Sequence, residues 1–268
     1  MAARPGPEHH SRYWDWTENV AGGCVPADTT CRSCYAVVYA RGIHAANDVQ
    51  LYRGTTKPTR EGHTWSGLFT KRPPDHPAWT SPLRYGGPEI PLLGPGKPPI
   101  LWVNSMADLY VPGRPFEDFD RFLDNVAISP HIGLVLTKYP EGLVKYFSAK
   151  PLWWRKWFWL VFSAGTQETF DERWPVMRPM AEDGWTVGAS IQPMVEKMML
   201  PPDAVRLLRW VICGGEQSPG KRPMDPDDAR SLRDQCKGAN PPIPFYCKQM
   251  TRGYRPLNLL FQELPAWP

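Results

Sequence analysis

Hydrophobic residues along the chain form short continuous runs that end in polar residues, and most runs are followed by an amphipathic segment. Runs that are apolar through their length predict strands covered on both faces, as in a parallel sheet. The predicted strands of this kind are residues 99–105, 131–138, 157–163, 186–193, 207–216 and 243–249.

Segments with helical periodicity lie between these strands. The clearest, residues 115–129, places four apolar side chains on one face: Phe119, Phe122, Leu123 and Val126. Other predicted helices cover residues 141–148, 168–181 and 226–236, with the second of these interrupted by Pro175 and Pro179. The alternation of strands and helices predicts an α/β fold, a partial (βα)6 barrel of the TIM type.

The N-terminal part of the chain is less regular. We expect a disordered leader over residues 1–11 and one domain over residues 12–268. A short first strand is predicted at 13–17 and a helix at 34–44. Residues 53–99 are rich in Pro, Gly and Trp and predict an insertion, with a strand at 64–69.

Three of the six cysteines, Cys24, Cys31 and Cys34, lie on one loop after the first predicted strand, spaced C-x6-C-x2-C. Thiolates gathered in this way indicate zinc or an iron–sulfur cluster. A structural zinc site is closed by four ligands, whereas a cluster held by three cysteines leaves one iron open. Zinc completed by His44 or a distant cysteine is the alternative.

Composition narrows the class of protein. The 31 basic and 27 acidic residues give a net charge of +4, which permits a polyanionic partner without requiring one. We expect no membrane span and no secretory signal, and the cysteine content favours a reducing intracellular compartment. The 13 tryptophans have two interpretations, as core residues or as surfaces on which a ligand or bases stack. Residues 153–157 interleave aromatic and basic side chains, which could bind nucleic acid or form a core edge with a solvated basic corner.

Polar side chains follow the predicted strands. Because the carboxyl ends of parallel strands meet at one edge, we expect these side chains to lie beside the cysteine loop. They are Asn104, Ser105, Asp108, Lys138, Ser163, Gln167, Ser190, Gln192, Glu216 and Lys248.

Several blocks of the chain resemble, in order, those of the phage and bacterial three-Cys-motif family of the radical S-adenosylmethionine (SAM) superfamily. They are residues 23–24, 31–36 (CRSCYA), 103–109 (VNSMADL), 135–138 (VLTK), 214–216 (GGE) and 245–249 (FYCKQ). The aromatic Tyr35 after the third cysteine is typical of the superfamily. The chain departs from the pattern in its first cysteine gap, at Gln192 where the family has Glu, and at Tyr139 where it has Arg.

The resemblance implies that Cys24, Cys31 and Cys34 hold three irons of a [4Fe–4S] cluster and that the fourth iron binds SAM. It also implies SAM contacts at Tyr35, Asn104, Ser105, Asp108, Lys138, Ser163 and Gln167. Placement at strand ends makes Gln192, Glu216 and Lys248 the candidate substrate contacts, the alternatives being a simple turn at Glu216 and a tie to the C-terminal tail at Lys248. Within these sets, strand-end placement gives the SAM amino group to Asn104, Ser105 and Asp108, its carboxylate to Lys138, and its ribose to Ser163 and Gln167.

The expected function is that of a radical SAM enzyme that generates a 5′-deoxyadenosyl radical and rearranges or modifies a nucleobase, in particular a thymine-type base in DNA. The resemblance implies a flavodoxin- or ferredoxin-type electron donor and a cytoplasmic location in a bacterial or phage-infected cell. Photoproduct-lyase-like repair and a non-catalytic, zinc-stabilised nucleic-acid-binding protein are the alternatives. A cluster-free methyltransferase is disfavoured because its Gly-rich first turn is missing.

Overall fold

The structure is a computed structural model that describes residues 12–42, 49–216, 222–251 and 262–267. It is organised around a parallel sheet of seven strands. The strands in chain order are β1 (Trp16–Glu18), β2 (Ala21–Gly22), β3 (Thr56–Thr59), β4 (Gly62–Trp65), β5 (Thr70–Lys71), β6 (Ile100–Val103), β7 (Ile132–Thr137), β8 (Phe158–Ser163), β9 (Thr186–Ile191), β10 (Trp210–Cys213) and β11 (Phe245–Cys247).

The large sheet has the order β1-β6-β7-β8-β9-β10-β11, and every neighbouring pair is parallel. All six apolar runs are therefore strands of one sheet, and β1 adds a seventh at its edge. This half-barrel confirms the predicted partial TIM-type barrel. The two remaining pairs, β2 with β5 and β3 with β4, are antiparallel and belong to the N-terminal part of the chain.

Side chains along each long strand alternate between two buried faces. In β6, Leu101 and Val103 pack in the core beneath the helices, whereas Ile100 and Trp102 belong to a second core on the inner face of the sheet. We call the rings of this second core the inner aromatic cluster, which consists of Tyr13, Trp102, Trp159, Trp210 and Tyr246. Both faces exclude water, which explains why the strands are apolar throughout.

The helices in chain order are α1 (Tyr35–Arg41), α2 (Val49–Tyr52), α3 (Ser81–Arg84), α4 (Asp120–Ile128), α5 (Pro140–Phe147), α6 (Gln167–Glu182), α7 (Pro202–Leu207) and α8 (Pro226–Lys237). Short 3-10 turns cover Thr29–Ser33, Pro77–Thr80, Phe116–Asp118 and Leu152–Lys156. None of the helices in the described residues is both long and apolar enough to cross a membrane.

The predicted interruption of the 168–181 helix is wrong, since α6 is one continuous helix. Thr166 begins it with a capping box, and its apolar face packs on the sheet. Pro175 and Pro179 lie on the exposed face, where the carbonyl groups that they leave without partners meet water. Helix α7 was not predicted and includes the first residue of the strand predicted at 207–216, and the strand itself, β10, covers only four residues of that run.

The insertion at 53–99 is tied to the cysteine loop through β2 and β5, where Gly22 pairs with Thr70. The next residue, Gly23, has a φ of 86°, and a Cβ atom there would stand 2.0 Å from the carbonyl oxygen of Leu68. Only glycine fits this close approach. The predicted strand at 64–69 ends early, at Trp65 in β4. The predicted leader and the end of the 34–44 helix lie outside the described residues.

Candidate functional site

A cavity of about 550 Å³ opens at the carboxyl edge of the sheet. This volume is within the usual range for small-molecule sites. Its wall combines the three cysteines of the 24–34 loop with side chains that follow β6, β7, β8, β9, β10 and β11. Predicted site residues in the lining are Cys24, Cys31, Cys34, Tyr35, Asn104, Ser105, Asp108, Lys138, Ser163, Gln192, Glu216 and Lys248.

The three cysteines are half-buried free thiols. Cys24 Sγ donates to the Val25 carbonyl at 3.3 Å, and Cys31 Sγ accepts from the backbone N–H of Ala27 at 3.3 Å. Burial, and then the negative charge of Asp108, raises the pKa of Cys24 to about 12, and burial also raises the pKa of Cys34. A bound cation reverses this preference, because metals bind the thiolate.

The three thiols line one wall of the cavity, so they are the kind of soft donor set that an iron–sulfur cluster requires. Among the described residues, no three His, Cys, Asp or Glu side chains converge closely enough to hold one metal ion. Of the two fourth zinc ligands predicted, His44 lies outside the described residues, and the distant cysteines Cys213, Cys236 and Cys247 are not in the cavity lining.

A buried group of charges that sequence reasoning missed fixes the cysteine loop to the barrel. Asp28 accepts from Lys138 Nζ at 3.1 Å, from Arg173 Nη2 at 2.7 Å and from the backbone N–H of Thr30 at 2.8 Å. We call these four residues the Asp28 network. Burial alone would raise the pKa of Asp28, but Lys138, Thr30 and Arg173 together hold it well below its usual range. Asp28 is therefore a carboxylate, and it also caps the 3-10 turn that carries Cys31.

The side chains assigned to the SAM amino group form internal hydrogen bonds. Asp108 accepts from Thr137 Oγ1 at 2.8 Å and from the backbone N–H groups of Lys138 at 2.8 Å and Tyr110 at 3.1 Å. Asn104 Oδ1 accepts from the Ala21 N–H at 2.9 Å, and its backbone is left-handed with a φ of 59°. These bonds fix the turn after β6 and the end of β7.

Ser105 and Tyr35 join that turn to the start of α1. The Tyr35 hydroxyl donates to the Ser105 carbonyl at 2.9 Å, while Ser105 Oγ lies 3.4 Å from Asn19 Oδ1. The Tyr35 residue is 41% exposed, so part of it is available to a ligand in the cavity.

Two other predicted SAM contacts are engaged elsewhere in the protein. Lys138 Nζ, assigned to the SAM carboxylate, is paired with Asp28. Gln167 is not part of the cavity lining, because it begins α6 and its amide exchanges hydrogen bonds with the backbone of Met199. Ser163 does line the cavity, and its hydroxyl makes a long bond of 3.5 Å to the Ser190 carbonyl.

Two buried polar atoms in the cavity wall make no hydrogen bond of normal geometry to a described residue. Ser190 Oγ makes no hydrogen bond although the residue is fully buried, and Gln192 Nε2 makes none of normal geometry. Burial raises the pKa of Tyr13, and the nearby Gln192 side chain partly opposes that rise. Unsatisfied buried groups of this kind are costly without a ligand or ordered water.

Of the remaining two predicted substrate contacts, Glu216 has an oppositely charged partner and Lys248 has aromatic neighbours. Glu216 is buried against Arg222, whose Nη2 stands 2.8 Å from the carboxylate. Burial raises the pKa of Glu216, but the hydrogen bonds from Arg222 more than offset it and the net shift is downward. Lys248 is half-buried among aromatic rings, and its ammonium lies 5.2 Å from the ring centroid of Trp14.

The basic and aromatic run at 153–157 lies away from the cavity. It forms the 3-10 turn Leu152–Lys156 that precedes β8, at the amino edge of the sheet. Trp154 is buried against Phe158, and Arg155 pairs with Asp183. The run therefore adds nothing to the cavity at the opposite edge.

Comparison with known proteins gives one family and two distant structures. A family model described as "Protein of unknown function (DUF5131)" matches residues 9–258. No curated protein matches the chain in sequence. A mutant of spore photoproduct lyase with bound AdoMet and dinucleoside spore photoproduct is 10% identical with a TM-score of 0.45, covering 83% of this chain and 61% of that one.

Spore photoproduct lyase complexed with dinucleoside spore photoproduct is also 10% identical, with a TM-score of 0.44 and coverage of 82% of this chain and 60% of that one. The chain thus spans about three fifths of the length of these two structures.

Proposed function

The chain belongs to the DUF5131 family of proteins of unknown function, and we propose that this member of the family is a radical SAM enzyme that modifies a nucleobase. One observation carries the proposal. The three cysteines of a single loop line the same cavity as the polar side chains at the carboxyl edge of a parallel half-barrel. This edge is where barrel enzymes bind their ligands.

Cys24, Cys31 and Cys34 would hold three irons of a [4Fe–4S] cluster, and SAM would occupy the cavity beside them. When bound, the cluster and SAM supply an electron and a 5′-deoxyadenosyl radical that abstracts a hydrogen atom from the substrate.

The protein's own residues fix the geometry of the site and limit the access of water to it. The Asp28 network fixes the cysteine loop, and Asp108 fixes the turns after β6 and β7. Tyr13 and Trp102 of the inner aromatic cluster line the cavity as well, so its inner wall is apolar. Such a wall protects reactive intermediates from water. Ser190 Oγ and Gln192 Nε2 offer hydrogen bonds to a ligand.

A nucleobase suits this wall because it combines a flat apolar face with hydrogen-bonding edges. Tyr35 and Tyr39 are 41% and 47% exposed and line the cavity, where they offer surfaces for stacking. Our specific candidate is a thymine-type base in DNA of the kind that phages hypermodify. Photoproduct-lyase-like repair would use the same cofactors on a related substrate, and no feature of the cavity favours it over modification.

The proposal is tested by reconstituting the protein with iron and sulfide under anaerobic conditions. We expect a brown protein with about four irons per chain, an electron paramagnetic resonance signal after reduction, and release of 5′-deoxyadenosine when SAM and a reductant are added. Dithionite and a flavodoxin-type donor serve as alternative reductants.

Cys34→Ala should lose most of the iron and all 5′-deoxyadenosine release. Cys236→Ala is the matched control, because Cys236 is buried in α8 and is not in the cavity lining. It should retain both properties. A colourless wild-type protein that binds stoichiometric zinc would refute the proposal and favour the zinc-stabilised nucleic-acid-binding alternative.

A further inference from the structure

Lys248 is a cation without a counter-charge in the described part of the structure. It follows β11 and lines the cavity. Its ammonium lies 5.7, 5.2 and 6.0 Å from the ring centroids of Tyr13, Trp14 and Tyr35. No described carboxylate pairs with it, and its Nζ donates no hydrogen bond to a described residue. Aromatic faces stabilise a cation only modestly compared with an anion.

The other charges around the cavity do not neutralise Lys248. Lys138, the second lysine in the lining, is paired with Asp28, and Glu216 is paired with Arg222. Arg12 lies close enough to repel the ammonium, and it forms no ion pair with a described residue. Burial, followed by this repulsion from Arg12, lowers the pKa of Lys248 to about 8. The cavity thus has an excess of positive charge near Lys248.

The unpartnered polar atoms of the cavity are also able to donate. Ser190 is fully buried and its Oγ lacks a partner among the described residues, while Gln192 Nε2, which faces Tyr13, makes no hydrogen bond of normal geometry to a described residue. Gln192 Nε2 can only donate and the Ser190 hydroxyl can donate or accept, so a ligand with hydrogen-bond acceptors satisfies both, and a ligand with negative charge satisfies Lys248.

We propose that Lys248 binds a phosphate group of the nucleotide substrate, placing the attached nucleoside against the aromatic and polar wall of the cavity. This inference rests on the proposed function, because it assigns a part of that substrate. A phosphate suits a lysine, which acts as a point charge with three donors. The phosphate is either the monoester of a free nucleotide or a phosphodiester of a nucleic-acid strand, and the same contact serves both.

The test compares wild-type protein with Lys248→Met, which keeps most of the side-chain volume and removes the charge. Calorimetry measures binding of thymidine 5′-monophosphate, thymidine, a short oligothymidylate and SAM. Lys156→Met is the matched control, because Lys156 Nζ also lies over an aromatic ring, 4.6 Å from the Trp267 centroid, but is not in the cavity lining.

We expect Lys248→Met to weaken binding of thymidine 5′-monophosphate by about tenfold or more, the usual effect of losing a charged hydrogen bond. Affinity for thymidine and SAM should be unchanged, and Lys156→Met should bind all four ligands as the wild type does. Lys248→Arg should keep the phosphate affinity. Lys248→Gln, which removes the charge but keeps a polar end, decides the test if Lys248→Met fails to fold, and it should show the same loss of phosphate binding.

The oligothymidylate distinguishes the two sources of phosphate. If a strand is the ligand, Lys248→Met should reduce the slope of log affinity against log salt concentration by about one. If only the free nucleotide binds, the monophosphate alone shows the loss. Both results support a phosphate site at Lys248.

Unchanged affinity of Lys248→Met for both phosphate ligands would overturn the inference. So would failure of the wild type to bind them, or a loss confined to SAM, which would assign Lys248 to the cofactor carboxylate. The proposed function fails separately, through absence of 5′-deoxyadenosine release by the wild-type protein. Binding and release are measured independently, so the two failures are distinguishable.

Discussion

Replacing Asp28 with Asn removes the negative charge that holds two cations at the cysteine loop, the buried Arg173 and the half-buried Lys138. The Asp28 and Arg173 side chains are 9% and 8% exposed, and Lys138 is 20% exposed. The new amide oxygen still accepts from the Thr30 N–H, so the capped turn survives. Arg173 keeps a hydrogen bond to the Ser163 carbonyl but loses its counter-charge.

The size of the effect follows from this burial. Removing one partner of a buried ion pair costs about 3–5 kcal/mol, because the other charge remains without compensation. Lys138 is partly accessible and recovers some hydration, whereas Arg173 does not. We therefore expect the lower end of the range, about 3 kcal/mol. Since small proteins unfold at about 5–15 kcal/mol in total, this loss is large.

The assay is urea unfolding of the metal-free protein at pH 7, followed by circular dichroism and extrapolated to water. Asp227→Asn is the matched control, because Asp227 forms an ion pair with Arg230 but its side chain is 83% exposed. Exposed pairs contribute little, so this change should stay within about 0.5 kcal/mol.

A double-mutant cycle with Arg173→Met separates the ion pair from other effects. If the two side chains stabilise each other, the double variant loses at least about 1 kcal/mol less than the sum of the single variants. Additive losses, or an Asp28→Asn variant as stable as Asp227→Asn, would refute the reasoning.

Two further predictions concern backbone fit and a buried histidine. Gly23→Ala should destabilise the protein clearly more than Gly67→Ala in urea unfolding. Both glycines have a φ near 90°, which costs alanine about 1–2 kcal/mol. A Cβ atom at Gly23 would also clash with the Leu68 carbonyl oxygen, whereas one at Gly67 would meet no atom within 4 Å; equal losses would contradict the close approach. His131 is fully buried, and burial lowers its pKa from 6.5 to about 4. The unfolded chain therefore binds the proton first, so this stability is present above pH 6.5 and is lost as the pH falls towards 4, by up to about 3 kcal/mol. His131→Phe should show a shallower loss of urea midpoint over that range, and identical slopes would exclude the effect.

The parallel sheet could be predicted from the sequence because each of its long strands has a recognisable local pattern. Each long strand is buried on both faces, so each appears as a continuous apolar run, and one parallel sheet explains all of them. The prolines of α6 were misleading because their effect depends on which face they occupy, and that depends on the tertiary structure. Helix α7 has only six residues, too few for a clear period.

Some residues of the site could be predicted from the sequence and others could not, depending on whether a local pattern marks them. The three cysteines and the strand-end residues have local signals, and the barrel brings most of them to one cavity. Asp28 had no such signal, because its partners Lys138 and Arg173 are 110 and 145 residues away. Its role depends on contacts that no local pattern encodes. The tryptophans were open to two interpretations, and the inner aromatic cluster shows that Trp102, Trp159 and Trp210 are core.

The long separation between Asp28 and its partners also determines when, during synthesis, the cysteine loop can be fixed in place. The chain emerges from the ribosome from its N-terminus, so the three thiols appear before Lys138 and Arg173 exist. Until α6 has been synthesised and packed, the loop lacks Arg173, one of the two cations that fix Asp28. Loading of the proposed cluster into the finished loop would therefore be a late event in biosynthesis, after the three thiols have already left the ribosome.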